Sequence, residues 1–198
     1  DDVINKFINE INSDNKENKV IYKEVNPMYK LTLGKLARTI ISFNDSRNTL
    51  ILPDFKDLLT KKLHATFLSF MPTEEFAYQL SKMKDDRGVL AEFIKSKSIG
   101  QIFVSSTSPG KIRGNHYHHT KVEKFLVLDG KAVIRFRNIN TEEILEYKVD
   151  GKEFRVVDIP PGYTHSIENI GSSDMIVLFW SNEMYDSTNP DTDYFPVL

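Results

Sequence analysis

The stretch GKIRGNHYHHTKVEKFLVLDG, residues 110–130, gathers three of the chain's five histidines within four positions. Imidazole binds first-row metals and carries protons near neutral pH, so such a cluster in a histidine-poor chain points to chemistry. If residues 112–119 are extended, His116 and His118 leave one face of the strand while Tyr117 and His119 leave the other. Two imidazoles on one face make a two-pronged metal grip. Glu123 opens the next apolar run and can add a carboxylate; His165, after Pro160-Pro161-Gly162, can add a third imidazole from a distant strand. Three nitrogens and one oxygen suit zinc, iron, manganese or nickel, and the lack of thiolate disfavours a purely structural zinc site. Alone, His165 would read as a hydrogen-bonded core residue; beside the other three it reads as a ligand.

Strands must hold these groups, and from Val89 onward the chain has that texture. FLVL-DG-KAVIRF predicts a hairpin from its Asp-Gly pair between β-rich runs, and Asn138 to Thr141, Asp150-Gly151, Pro160 to Gly162 and Gly171 to Asp174 predict further turns. This spacing predicts a sandwich or closed barrel of roughly eight or more strands. The first part is helical by period: Val3, Phe7, Ile8 and Ile11 share one face, and Leu33, Leu36, Ala37, Ile40 and Ile41 another. A polar turn and short strand are expected in NSDNKENKVIYKE between them, with a third helix opening at Pro53-Asp54 and ending at Lys61-Lys62. Leu63 to Met83 reads as an aromatic-rich connector broken by Pro72. Three small helices and one strand make a poor independent core, so this part is expected to be the trailing end of a larger fold.

Over 198 residues, 40% hydrophobic and 27% charged composition is ordinary for a soluble globular chain, and a net charge of -2 argues against a broad nucleic-acid footprint. No apolar run approaches the ~18 residues of a membrane span, no signal-peptide core is visible, and cysteine is absent. A cytoplasmic protein with no membrane partner is expected. The start at Asp1-Asp2-Val3, without methionine, points to a processed chain or a fragment.

Gly110, His116, His118, Glu123 and Gly130 match the first cupin motif, G-x5-H-x-H-x4-E-x6-G, at every fixed position. Pro160, Gly162, His165 and Asn169 match the second, P-x-G-x2-H-x3-N; Phe154 stands where its leading glycine would fall. The resemblance implies His116, His118, Glu123 and His165 as metal ligands. A competing resemblance is to the dTDP-sugar 3,5-epimerases, whose R-G-x-H stretch is similar to Asp86-Arg87-Gly88 and Arg113-Gly114-Asn115-His116. There the matching histidine is a general base and the arginine helps hold the nucleotide diphosphate, so Arg87 and Arg113 become substrate-binding candidates. With the flanks included, DDRG…EF, VVDIPPGYTHSIENIG and NEMYD…NPDTDYF resemble the C-terminal cupin half of the CapF family of capsular polysaccharide enzymes, two-domain UDP-2-acetamido-2,6-dideoxyhexos-4-ulose epimerase/reductases. DDVINKFI and LTLGKLARTI look like the end of that family's short-chain dehydrogenase domain.

That resemblance implies a mainly β chain: a cupin-type jelly-roll barrel over 89–198, a connector and first strand region over 65–88, and over 1–64 a small helical segment from the end of an α/β dehydrogenase domain. It also implies a UDP-sugar substrate, a divalent metal with zinc foremost, a homodimer, and NADPH only in the full-length protein. None of the nine glycines forms a dinucleotide-binding fingerprint, so this chain alone is not expected to bind NADPH. Inverting C3 beside a C4 ketone needs a base near neutrality and a group to hold the enolate charge. If His116 is a ligand it is not the base, which leaves His119, Lys131 or Tyr163. Lys131 also opens a strand on which Val133, Arg135 and Arg137 share its face, a ladder of cations suited to a diphosphate or a solvated outer surface. A metal-dependent epimerase, a non-catalytic sugar-binding or dimerising cupin, and an iron oxygenase all remain open at this point.

Overall fold

Period-two burial runs through the second part of the chain, and along Met175–Ser181 every other side chain is buried. The computed structural model describes residues 2–13, 20 and 22–198. Its strands are β1 (Met83–Asp85), β2 (Gly88–Ser96), β3 (Gly100–Thr107), β4 (Ile112–Tyr117), β5 (Glu123–Asp129), β6 (Lys131–Asn138), β7 (Ile144–Asp150), β8 (Val156–Ile159), β9 (Tyr163–Asn169), β10 (Met175–Ser181) and β11 (Asp193–Tyr194). They form two antiparallel sheets, ordered β1-β2-β3-β10-β5-β8 and β11-β4-β9-β6-β7. The fold is a cupin-type jelly roll. Phe125, Val127, Met175, Val177 and Phe179 of the first sheet meet Ala132, Ile134, Phe136 and Ile167 of the second in one core. Each such large side chain contributes roughly 1.5–3 kcal/mol on burial.

The Asp-Gly pair after β5 does not make the predicted hairpin. β5 pairs with β10 and β8, whereas β6 pairs with β9 and β7, so the chain changes sheets at Gly130. Gly130 adopts φ 88°, and a Cβ there would lie 3.0 Å from Met175 Cα. A tight turn is present, but both flanking strands bury their inward faces in the same core from opposite sides, and that burial selects their partners. β6 and β7 form the true hairpin, Lys131 opposite Asp150 and Arg137 opposite Ile144.

Ahead of the barrel come α1 (Asp2–Ile11), α2 (Leu33–Thr49) and α3 (Leu58–Ser69). The third helix begins and ends later than predicted. Asp54 accepts from Lys56 N in a local turn, and Asp57 is the N-cap, taking Thr60 N at 3.1 Å, so the helix starts beyond it and continues across residue 64. The polar turn and strand expected in NSDNKENKVIYKE fall mostly outside the described residues. Leu52 N and Lys95 N exchange backbone bonds with Lys95 O and Leu50 O, tying the end of α2 to β2. No helix among the described residues is long and apolar enough to cross a membrane.

Candidate functional site

β4 is kept close to β9 by a residue without a side chain. Gly114, at φ 94°, lies where a Cβ would come within 2.6 Å of His165 O, and a register shift follows between Gly114 and His116, with Asn115 at φ 61°. The bulge turns His116 to sit opposite His165, and His118 follows just past the strand end. Glu123, the first residue of β5, reaches in from the other sheet. One ligand atom from each of His116, His118, Glu123 and His165 lies within 4.8 Å of the others, and all but His116 are buried.

These donors fit a metal ion. His118 Nε2 and His165 Nε2 stand 3.4 and 3.5 Å from Glu123 Oε2, and both nitrogens are buried without a hydrogen-bond partner. Donors across a tetrahedral ion with bonds near 2.0–2.1 Å are separated by about 3.4 Å, so this spacing suits coordination better than direct bonding. Burial pushes His116 down to about 3, helped by neighbouring His165, so its ring is neutral and offers a lone pair. Burial alone would raise Glu123, but the imidazoles of His118 and His165 outweigh it and hold the carboxyl below the usual range. His116, His118 and His165 would thus supply nitrogen and Glu123 oxygen.

The remaining predicted site residues are placed elsewhere, with one exception. His119 is 63% exposed and bonds Asp193 Oδ2 at 3.0 Å on the opposite face. Lys131 lies five residues before Phe136, the partner of His165, and so about 17 Å away along β6. Arg135 is held by Glu146 and Glu168, and Arg137 by the carbonyls of Pro196 and Val197. Arg87 pairs with Asp85, and Arg113 donates to Thr107 Oγ1 at 2.9 Å with its Nη2 3.9 Å from the same Asp85. Tyr163 is the exception. Two residues before His165 on the same face of β9, it lines a cleft of about 360 Å³ together with Phe136, whose ring is 6.4 Å from that of His165.

Residues 83–193 match the family described as polysaccharide biosynthesis C-terminal domain. Over 192 residues the chain is 39% identical to UDP-2-acetamido-2,6-beta-L-arabino-hexul-4-ose reductase of Pseudomonas aeruginosa, covering 97% of this chain and 51% of that protein. The chain belongs to this family. The capsular polysaccharide assembling protein CapF of Staphylococcus aureus matches it with a TM-score of 0.87 and 45% identity, over 99% of this chain and 53% of that one. CapF with the inhibitor 3-isopropenyl-tropolone matches with a TM-score of 0.89 at 45% identity, over 99% and 57%. This CapF-like chain spans about half the length of these three relatives.

One site residue of the CapF-like chain escaped the motif reading. Asp191 accepts from the backbone N–H groups of His119, Thr120 and Lys121 at 2.7, 2.8 and 2.8 Å, while its own carbonyl takes His118 Nδ1 at 2.6 Å. Partial burial opposes its charge, but those donors win and hold the carboxyl far below the usual range. A ring with Nδ1–H committed to a carbonyl presents Nε2 to the cluster. Downstream residues extend this strap: β11 pairs with β4, Phe195 N bonds Asn115 O, and Val197 N bonds Asn115 Oδ1. The only sequence signal was the Asp-Thr-Asp in the family-like NPDTDYF.

Proposed function

We propose that this chain is the epimerase part of a bifunctional nucleotide-sugar enzyme, a metal-binding cupin that inverts C3 of a UDP-2-acetamido-2,6-dideoxy-4-keto-hexose for N-acetylfucosamine in capsule or O-antigen. In that reading 1–64 is the trailing end of a dehydrogenase domain, and the full-length protein then reduces C4 with NADPH. The observation that carries it is the set of three imidazoles and one carboxylate, all but His116 buried, with two orphaned nitrogens, in a chain 39% identical to a protein named for a UDP-linked hexulose.

A bound divalent metal, zinc foremost, would supply Lewis acidity for the charge that develops on the C4 oxygen. The chain's own groups do the rest. Glu123 and the three histidines would hold that ion, and Phe136, whose ring is 6.4 Å from that of His165, forms with Val157 an apolar wall of the cleft. Of the sequence candidates His119, Lys131 and Tyr163, only Tyr163 lines that cleft, and it is assigned the delivery of a proton to C3. Cleavage of the C3–H bond leaves its electron pair in the enolate and passes its proton to water in the open cleft; the Tyr163 O–H then gives a proton to C3 on the other face and regains one from solvent, completing the inversion.

In heavy water the chain should place deuterium at C3 of the 4-keto sugar with no nicotinamide present. His118→Ala should abolish the exchange, and Tyr163→Phe should slow it by roughly 10²-fold without changing metal content. Absence of exchange in substrate shown to bind would replace this reading with a non-catalytic sugar-binding module.

A further inference from the structure

The outer strands β7 and β8 belong to different sheets and share no ladder, so the two layers part between them. Leu145 and Tyr147 lie opposite Phe136 and Ile134 on the inner face of their sheet, yet they are 37% and 38% exposed. Apolar groups that face inward without cover line a slot whose inner end is Tyr163 and Phe136, the latter 6.4 Å from the His165 ring. Tyr147 stands edge-on to Phe136 at 5.7 Å, and the Arg155 guanidinium lies 5.7 Å from the Tyr147 ring centre. Unlike Arg87, Arg135 and Arg137, Arg155 has no carboxylate partner among the described residues.

The turn that carries Arg155 adds a second, independent observation. Phe154 occupies a position at which the cupin pattern has glycine, holds φ 49°, and leaves its ring 65% exposed. Left-handed backbone disfavours a residue with a Cβ, and burial of the ring gives nothing back here. Strain kept in the turn that delivers Arg155 to the slot, with an exposed ring next in sequence to a guanidinium that has no carboxylate partner among the described residues, calls for a ligand with a flat π-face and negative charge.

We propose that this slot binds a nucleoside diphosphate, its base against Tyr147 and Phe154, its phosphates on Arg155, and the attached sugar directed past Tyr163 to the histidine cluster. The assignment deepens the proposed epimerase reading and rests on it for the sugar, but the nucleotide part stands on the slot alone. Aromatic stacking and a charge-assisted phosphate contact each justify an expected loss of roughly tenfold in affinity when removed.

Calorimetric titration of the 198-residue chain with UDP tests it. Arg155→Ala and Tyr147→Ala should each weaken UDP binding by about tenfold while metal content stays unchanged, and Arg155→Ala should also leave the melting temperature where it was. Phe154→Gly should raise the melting temperature and still lower UDP affinity, an opposition that a purely structural turn does not produce. UDP binding that ignores all three substitutions, or none by the unaltered chain at millimolar UDP, overturns the slot. Arg155-dependent UDP binding without C3 exchange keeps the slot and sinks the epimerase reading. Exchange whose rate at limiting substrate ignores Arg155→Ala does the reverse.

Discussion

The barrel and the helical lead use equally regular apolar patterns with opposite results. In the barrel, Ile134, Ile159, Met175 and Val177 are wholly buried; in α1, Phe7 and Ile11 follow an apolar stripe and are 65% and 80% exposed. Phe43 alone in α2 is buried, against His64 and Phe67 of α3. Periodicity announces that a face is suited to cover, whereas only topology supplies the cover. Two facing sheets provide it for the central strands, such as β5, β6, β9 and β10, and three helices do not provide it for one another.

That contrast can be broken most sharply in the core. Ile134→Ala should cost roughly 2–5 kcal/mol in denaturant unfolding, because the buried site cannot collapse around the loss. A cost below 1 kcal/mol would mean the barrel is not the stable unit. Next comes the site that the core supports: His118→Ala should lower divalent-metal affinity by more than ~10²-fold, and His119→Ala should leave it nearly unchanged. Equal losses in metal titration would defeat the assignment of His118 inward and His119 outward. Asp191→Ala should lower metal affinity by about 10–100-fold with the global unfolding midpoint little altered, since it keeps the carbonyl that meets His118 but frees the 119–121 backbone whose N–H groups the carboxylate fixes beside it. Smallest is the lead itself, where Phe7→Ser should change the stability of this chain by no more than about 0.5 kcal/mol. A larger drop would show that the α1 face is covered after all.

The strands and the four clustered donors were legible because both rest on local rules. Alternation sends His116 and His118 one way, and turn residues mark where strands stop. The Asp-Gly pair misled because a turn records a change of direction, not which strand the chain then joins. The bounds of α3 were missed because Asp54 and Asp57 are equally good caps in sequence, and only the second lies at the start of the helix. Asp191 was missed for a different reason: its carbonyl meets the His118 ring from 73 residues away, and periodicity carries no signal over such a separation. Phe154 did leave one, as a side chain in a glycine's place, and its meaning depended on the slot beside it.

The strap of residues 191–197 also separates two kinds of loss. Its removal would take β11 from the edge of β4, the acceptor from His118 and the anchor from Asn115 at one stroke, yet it withdraws only Val197 from the wholly buried apolar residues. Such a segment can open sub-globally, well below the free energy of unfolding the core. Escape of a metal held by the cluster would then be an early, reversible event with its own rate. Amide exchange should reveal it, with residues 115–121 losing protection while β6 and β9 keep theirs.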